Sequence, residues 1–132
     1  MDRKRSEPGR GSRWFRPLTT GIDGVVLVER DPAGDRRGDF SRLFCEDEFG
    51  DIRLGGRRLP VSQVNLSRNT RPGTVRGLHL LLPPAEEYKL VTCVAGAIWD
   101  VAIDLRSGSP TVGAYFGREL RAGENRSRLI PP

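Results

Sequence analysis

Apolar and polar positions along this chain alternate in short runs with a period of two, and no stretch of useful length repeats with the period of a helix. Val25 to Glu29 is a run of apolar, largely β-branched residues bounded by PAGDRRGD, which predicts a strand followed by a loop. Phe40 to Cys45 predicts a second strand, and CEDEFG a turn of helix after it. Beyond the break LGGRRLP, Val61 to Ser67 alternates cleanly, with Gln63, Asn65 and Ser67 on one face and Val64 and Leu66 on the other. This predicts a half-buried strand with a hydrogen-bonding face.

Lys89 to Val94 sets Lys89, Val91 and Cys93 on one face. Ile98 to Asp104 separates bulky Trp99, Val101 and Ile103 from Asp100, Ala102 and Asp104, and the bulky set is expected to face the core. The small connection AGA at 95–97 predicts a hairpin between these two strands. RSGSPT reads as a loop, Ala114 to Leu120 as a further strand and AGEN as a turn. Many short strands with Gly/Pro turns imply an all-β antiparallel sandwich or barrel, of which a jelly roll fits best.

Length and composition narrow the class. A chain of 132 residues supports one domain, and 36% hydrophobic with 30% charged residues is ordinary for a globular protein. No apolar run reaches the roughly 18 residues of a membrane helix, and MDRKRSEPGRG lacks the apolar region of a secretory signal. Cys45 and Cys93 show no metal or redox spacing, so both are expected to be reduced and structural in a cytoplasmic protein. Most of the net charge of +5 sits in residues 1–16, where six basic residues face only Asp2 and Glu7. Residues 1–17 are therefore expected to be a basic, disordered tail, and 18–132 the domain. No basic face interleaved with aromatics follows, which argues against nucleic-acid binding by the domain.

Candidate chemistry concentrates in Gly73 to Lys89, GTVRGLHLLLPPAEEYK, which holds the chain's one histidine, His79. A lone strand histidine is by itself more often a packed or surface imidazole than a catalyst. Here Arg76, whose guanidinium fork suits phosphate, and Lys89 fall in the same short span. A single histidine also leaves too few ligands for a metal-dependent site.

The string TVRGLH followed by PP and KLV resembles the GxxRGLH…KLV core of the dTDP-4-dehydrorhamnose 3,5-epimerase family. DRRGDFSRLF at 35–44 resembles its RGxFxE segment, SQVNLS at 62–67 its QxNxS, and DVAIDLRSGSPT at 100–111 its DVxVDLRxxSPT. ENRSRLIPP is similar to the stretch before its GFAHGF motif. The likeness runs from about residue 18 to the end, with the motifs in family order. It implies a cupin-type jelly roll, a homodimer, and epimerisation of a 4-keto-6-deoxy sugar linked to dTDP. No metal or other cofactor is expected.

Inverting a carbon next to a ketone requires a base, a stabiliser for the enolate oxygen and an acid. By resemblance His79 is the base, and Lys89 supplies positive charge near the enolate oxygen. Asp104 is a candidate to orient the imidazole, and equally a strand-end carboxylate capping the RSGS turn. Arg37 and Arg76 match family arginines that contact the nucleotide sugar, and Gln63 and Asn65 match its polar pair. Gln63 and Asn65 read equally as a solvent-facing strand. Arg42 stands where the family has glutamate, reversing a charge beside the expected nucleotide, and Leu80 and Leu81 replace the polar pair after the histidine.

Arg76 and His79 are three residues apart and would face opposite ways on a regular strand, so irregular pairing is expected at Gly77. The sequence ends at Pro132, before GFAHGF, the family's tyrosine acid and the acidic partner of its histidine. The resemblance thus implies a C-terminally truncated copy or a fragment of an epimerase, with a truncated homologue that only binds the nucleotide sugar as the alternative.

Overall fold

The computed structural model describes residues 14–53 and 60–132. Among the described residues, eight strands and one helix follow in order: β1 (Phe15–Thr19), β2 (Val26–Arg30), β3 (Ala33–Asp35), β4 (Gly38–Phe40), α1 (Glu46–Arg53), β5 (Lys89–Thr92), β6 (Ala97–Ile103), β7 (Tyr115–Arg121) and β8 (Arg126–Ile130). A four-stranded sheet runs β1-β2-β8-β5, while β3-β4 and β6-β7 are separate hairpins. Every pairing is antiparallel. The all-β expectation holds.

The apolar run at β2 is continuous because its sheet is covered on both faces. Val26 and Val28 point one way, into a cluster with Phe15, Leu129 and Phe49 of α1. Leu27 points the other way and packs with Cys93 of the β5–β6 connection and Leu120 of β7. A third cluster, Ile22, Val25 and Ala102, closes the same interface with help from Phe116 and Ile130. The β6-β7 hairpin therefore lies over one face of the four-stranded sheet, and α1 over the other.

Helix α1 exceeds the expected single turn. Glu46, Asp47 and Glu48 occupy its first turn, where carboxylates meet the positive end of the helix dipole. Its anchor is Phe49, fully buried edge-on against Phe15 with ring centroids 4.7 Å apart.

Five expectations are corrected. Strand β1 starts at Phe15, inside the stretch expected to be a tail, and Phe15 is a core residue hidden among Arg13, Arg16 and Pro17 in the sequence. The tail up to Arg13, and the break at 54–59, lie outside the described residues. Phe40 to Cys45 is not one strand: β4 ends at Phe40, and Phe44 and Cys45 instead pack onto the Phe49 cluster. Ala95 to Ala97 does not join a hairpin, because β5 pairs with β8 and β6 with β7. That turn carries the chain from one layer to the other.

The fourth correction reverses a face. Trp99 is 70% exposed, Ile103 is exposed, and Val101 is only partly covered, whereas Ala102 and Leu120 are buried. The inward space opposite β6 is filled by Arg128, whose guanidinium donates to the Asp100 carbonyl at 2.6 Å and the Phe116 carbonyl at 3.2 Å. Asp100 faces it, with Oδ2 3.2 Å from Arg128 Nε. A buried cation on β8 thus selects the acidic face of β6 over the bulky one. Outside, the Trp99 ring lies against Gly117, where an added Cβ would stand 3.0 Å from it.

Residues 60–88 form no strand, although Val61 to Ser67 alternates. Val64 is 89% exposed and Leu66 is also exposed. Alternation gives a half-buried strand only where a sheet edge and a facing layer receive it, and no described residue pairs with this stretch in a ladder.

Candidate active site

The segment 60–88 returns to the sandwich at β5, and a cleft opens there. Gln63, Leu78, His79, Leu80, Leu81, Glu87 and Lys89 line it, enclosing about 560 Å³ open to solvent. Lys89 opens β5 on the same face as Val91 and Cys93, which pack toward β6-β7. Its ammonium is thereby set at the rim of the interlayer space, with Nζ 3.4 Å from Glu87 Oε1.

His79 reaches the cleft through a bend at Gly77. That residue has φ +96°, a conformation side chains with a Cβ rarely adopt. The imidazole folds back over it, so that a Cβ at 77 would lie 3.5 Å from Nδ1. No ladder runs through Arg76 to His79, so an unpaired bend stands in place of the irregular pairing expected at Gly77, and the two side chains do not converge. Arg76 turns away to donate to Asn69 Oδ1 at 2.7 Å and to the Arg68 carbonyl at 3.3 Å.

The structure therefore brings Gln63, His79 and Lys89 together and leaves the other candidates elsewhere. Asn65 is exposed on the segment and does not line the cleft. Arg37 grips Asp35 in a fork within the β3-β4 hairpin, with Nε 3.0 Å from Oδ2. That contact holds the Asp35 carboxyl below its ordinary range. Arg42 donates to Glu48 Oε1 at 2.6 Å and stacks over Trp14 at 5.2 Å. It belongs to the α1 side of the sheet, whereas Lys89 faces the β6-β7 side.

Asp104 has the contacts of a turn-capping carboxylate. Oδ1 accepts from the Arg106 amide at 3.1 Å and its Nε at 2.9 Å. Oδ2 accepts from Arg106 Nη2 at 2.9 Å, Ser109 Oγ at 2.5 Å and Thr111 Oγ1 at 2.7 Å. The Arg106 guanidinium above all, with the two hydroxyls, holds this carboxyl far below the usual carboxylate range against the opposing effect of burial. Of the two roles open to it in the sequence, the RSGSPT turn takes up its hydrogen bonds.

Two groups escaped the sequence reading. Glu87 precedes Lys89 by two residues, a spacing that could have placed both on one face. Arg128 was legible in the same way from RSRLI, whose alternation sets it beside Arg126 and Ile130. Burial lowers the Arg128 guanidinium pKa and raises that of the Asp100 carboxyl, while each opposes the shift of the other. Among the described residues, no group of three or more His, Cys, Asp or Glu is placed to hold a metal.

Comparison with known proteins places this geometry. The sequence model of dTDP-4-dehydrorhamnose 3,5-epimerase matches residues 19–132. The dTDP-4-dehydrorhamnose 3,5-epimerase of Shigella flexneri is 40% identical over 114 residues, which cover 86% of this chain and 61% of that protein. The crystal structure of the Elizabethkingia anophelis epimerase superposes with a TM-score of 0.78 at 34% identity, covering 89% of this chain and 63% of that one. A Legionella pneumophila epimerase, crystallised with dTDP-4-keto-L-rhamnose, gives a TM-score of 0.71 at 32% identity over 89% of this chain and 60% of its own. The present chain spans about three-fifths of each. Its antiparallel sandwich is the corresponding portion of their cupin-type jelly roll. With the match running from the last residue of β1 through β8 and including the cleft residues Gln63, His79 and Lys89, the chain belongs to the dTDP-4-dehydrorhamnose 3,5-epimerase family.

Proposed function

We propose that this chain acts on a dTDP-linked 4-keto-6-deoxy sugar, removing the proton from a carbon next to the C4 ketone and thereby epimerising it. The observation that carries this reading is the placement of His79 and Lys89 in one open cleft. As the C–H bond breaks, its electron pair moves into the new C=C bond and the carbonyl pair onto oxygen, giving an enolate. The imidazole of His79 takes the proton, and the ammonium of Lys89 faces the oxygen charge. A proton from water in the open cleft adds to the opposite face of the carbon as the enolate collapses to the ketone, and the imidazolium of His79 gives its proton back to solvent, which completes the inversion. Gln63 offers an amide to the nucleotide or sugar edge.

The reading extends to a role in deoxysugar and surface polysaccharide synthesis, as the named substrates of the relatives suggest. Two free cysteines fit a cytoplasmic setting. A homodimer is included, for which the exposed outer face of β6-β7, with Trp99, Ile103 and Tyr115, supplies apolar surface.

The test is solvent deuterium incorporation into the dTDP-4-keto-6-deoxy sugar. Wild type should label the carbon beside the ketone, and His79→Asn should lose labelling by about a hundredfold or more, with dTDP binding changed by less than about threefold. Binding without labelling by wild type would show a chain that holds the nucleotide sugar only. Undiminished exchange in His79→Asn would remove the histidine from the mechanism.

A further inference from the structure

We infer that Glu87 is a positioning residue for Lys89, holding its ammonium at the cleft rim where a substrate oxygen would be met. This rests on the proton-transfer reading above, and it concerns a residue to which neither the motifs nor the fold assigns a task. Glu87 lies two residues before Lys89, so in extended chain the two side chains leave the backbone on the same side. Both line the cleft that contains His79, and Oε1 stands 3.4 Å from Nζ.

Lysine is a poor catalytic cation unless something aims it. Its charge is a point at the end of four rotatable carbons, with about 2 kcal/mol of rotamer entropy to lose. Across β5–β8, Lys89 stands opposite Ile130, which offers no polar group to hold the ammonium. Glu87 and His79 are the titratable groups that share the cleft with it, and Glu87 makes the charged contact. Leu78, Leu80 and Leu81 give the same cleft its apolar lining. A bound sugar nucleotide would cover the pair and remove the water that screens it, so the contact would strengthen when the chemistry occurs.

At rest the pair is partly exposed, with side-chain exposures of 37% and 38%. Exposed ion pairs add little to folding. Glu87→Gln should therefore leave the melting temperature unchanged and act on Lys89 alone.

Two readouts on the full chain keep this inference separate from the epimerase reading. In the deuterium assay, Glu87→Gln should lower kcat about tenfold with KM within about twofold, and Glu87→Asp should recover part of the loss. Independently of turnover, trace acetylation with acetic anhydride, read by mass spectrometry, should label Lys89 at least about twofold faster in Glu87→Gln, with Lys4 of the same chain as the internal reference. Faster Lys89 labelling in a protein whose wild type shows no deuterium uptake would uphold the pairing and overturn the epimerase reading. Active wild type with unchanged kcat and unchanged Lys89 labelling in Glu87→Gln would overturn the positioning role, as would a lowered melting temperature with no recovery by Glu87→Asp.

Discussion

β8 and the segment 60–88 both lack helix, yet Ser127, Arg128 and Leu129 of β8 are buried while Val64 and Val75 of the segment each stand 89% exposed. β8 has a strand on either side and a layer on each face. The segment has none of these, and it carries His79, Gln63, Asn65 and Arg76. Side chains are fixed in the sandwich by packing, so that part supplies stability. Side chains in the segment are fixed by turns and local hydrogen bonds, such as Thr74 Oγ1 to the Arg71 carbonyl at 2.8 Å, so that part supplies a displayed chemical surface.

The largest effect expected from this contrast is at Arg128. Arg128→Met removes a buried cation that bridges the two layers and leaves the half-buried Asp100 carboxyl without its charged partner, at a cost of about 3 kcal/mol in urea unfolding. The double variant Arg128→Met/Asp100→Leu should regain most of that loss. If the single variant unfolds at the wild-type urea concentration, the interlayer pair is not what joins β8 to the hairpin.

Asp104 comes next, because its side chain is fully buried and its ion pair with Arg106 fixes the turn after β6. Asp104→Asn should cost about 2 kcal/mol at pH 7, the scale of hydrogen bonds to a charged group. The folded carboxyl titrates well below its ordinary value of 3.8, so its contribution is fully present above that value and is lost as pH falls through the depressed one. The gap between variant and wild type should thus stay constant from pH 7 to about 4 and close only below it. A gap that closes between pH 7 and 5 would mean that another group carries it.

The smallest effect belongs to the segment. Val64→Ser should change stability by less than about 0.5 kcal/mol, as for a surface substitution that breaks no packing. A loss above about 2 kcal/mol would show that Val64 is covered in solution and that the segment belongs to a core.

Sequence pattern made the two regions legible to different degrees. Strand positions β5 to β7 were readable because each alternates or is bounded by turn residues, and β2 because a fully covered strand is apolar throughout, whereas β8 was not read as a strand. The partner of each strand was not readable: a short AGA connection fits a hairpin as well as a step between layers, and only the packing of Leu120 against Leu27 and Cys93 decides. Nor was the inward face of β6, because size and apolarity favour Trp99 while the buried charge on Arg128 favours Asp100. At the site, residue identities were plain and their convergence was not. His79 and Lys89 are ten residues apart in the chain and meet through the bend at Gly77 and the return to β5, whereas Arg37 and Arg42 are engaged by Asp35 and Glu48, contacts that no motif spells out.

Backbone hydrogen–deuterium exchange, resolved by peptide and run with and without dTDP, tests the division between packed sandwich and displayed segment most directly. In the free protein, amides of residues 61–82 should exchange within seconds while those of β2 and β8 stay protected by several orders of magnitude. Added dTDP should slow exchange in 61–67 and 76–89 and leave β2 and β8 unchanged. Equal protection of the segment and β8 in the free protein, or ligand protection confined to the sandwich, would contradict the account.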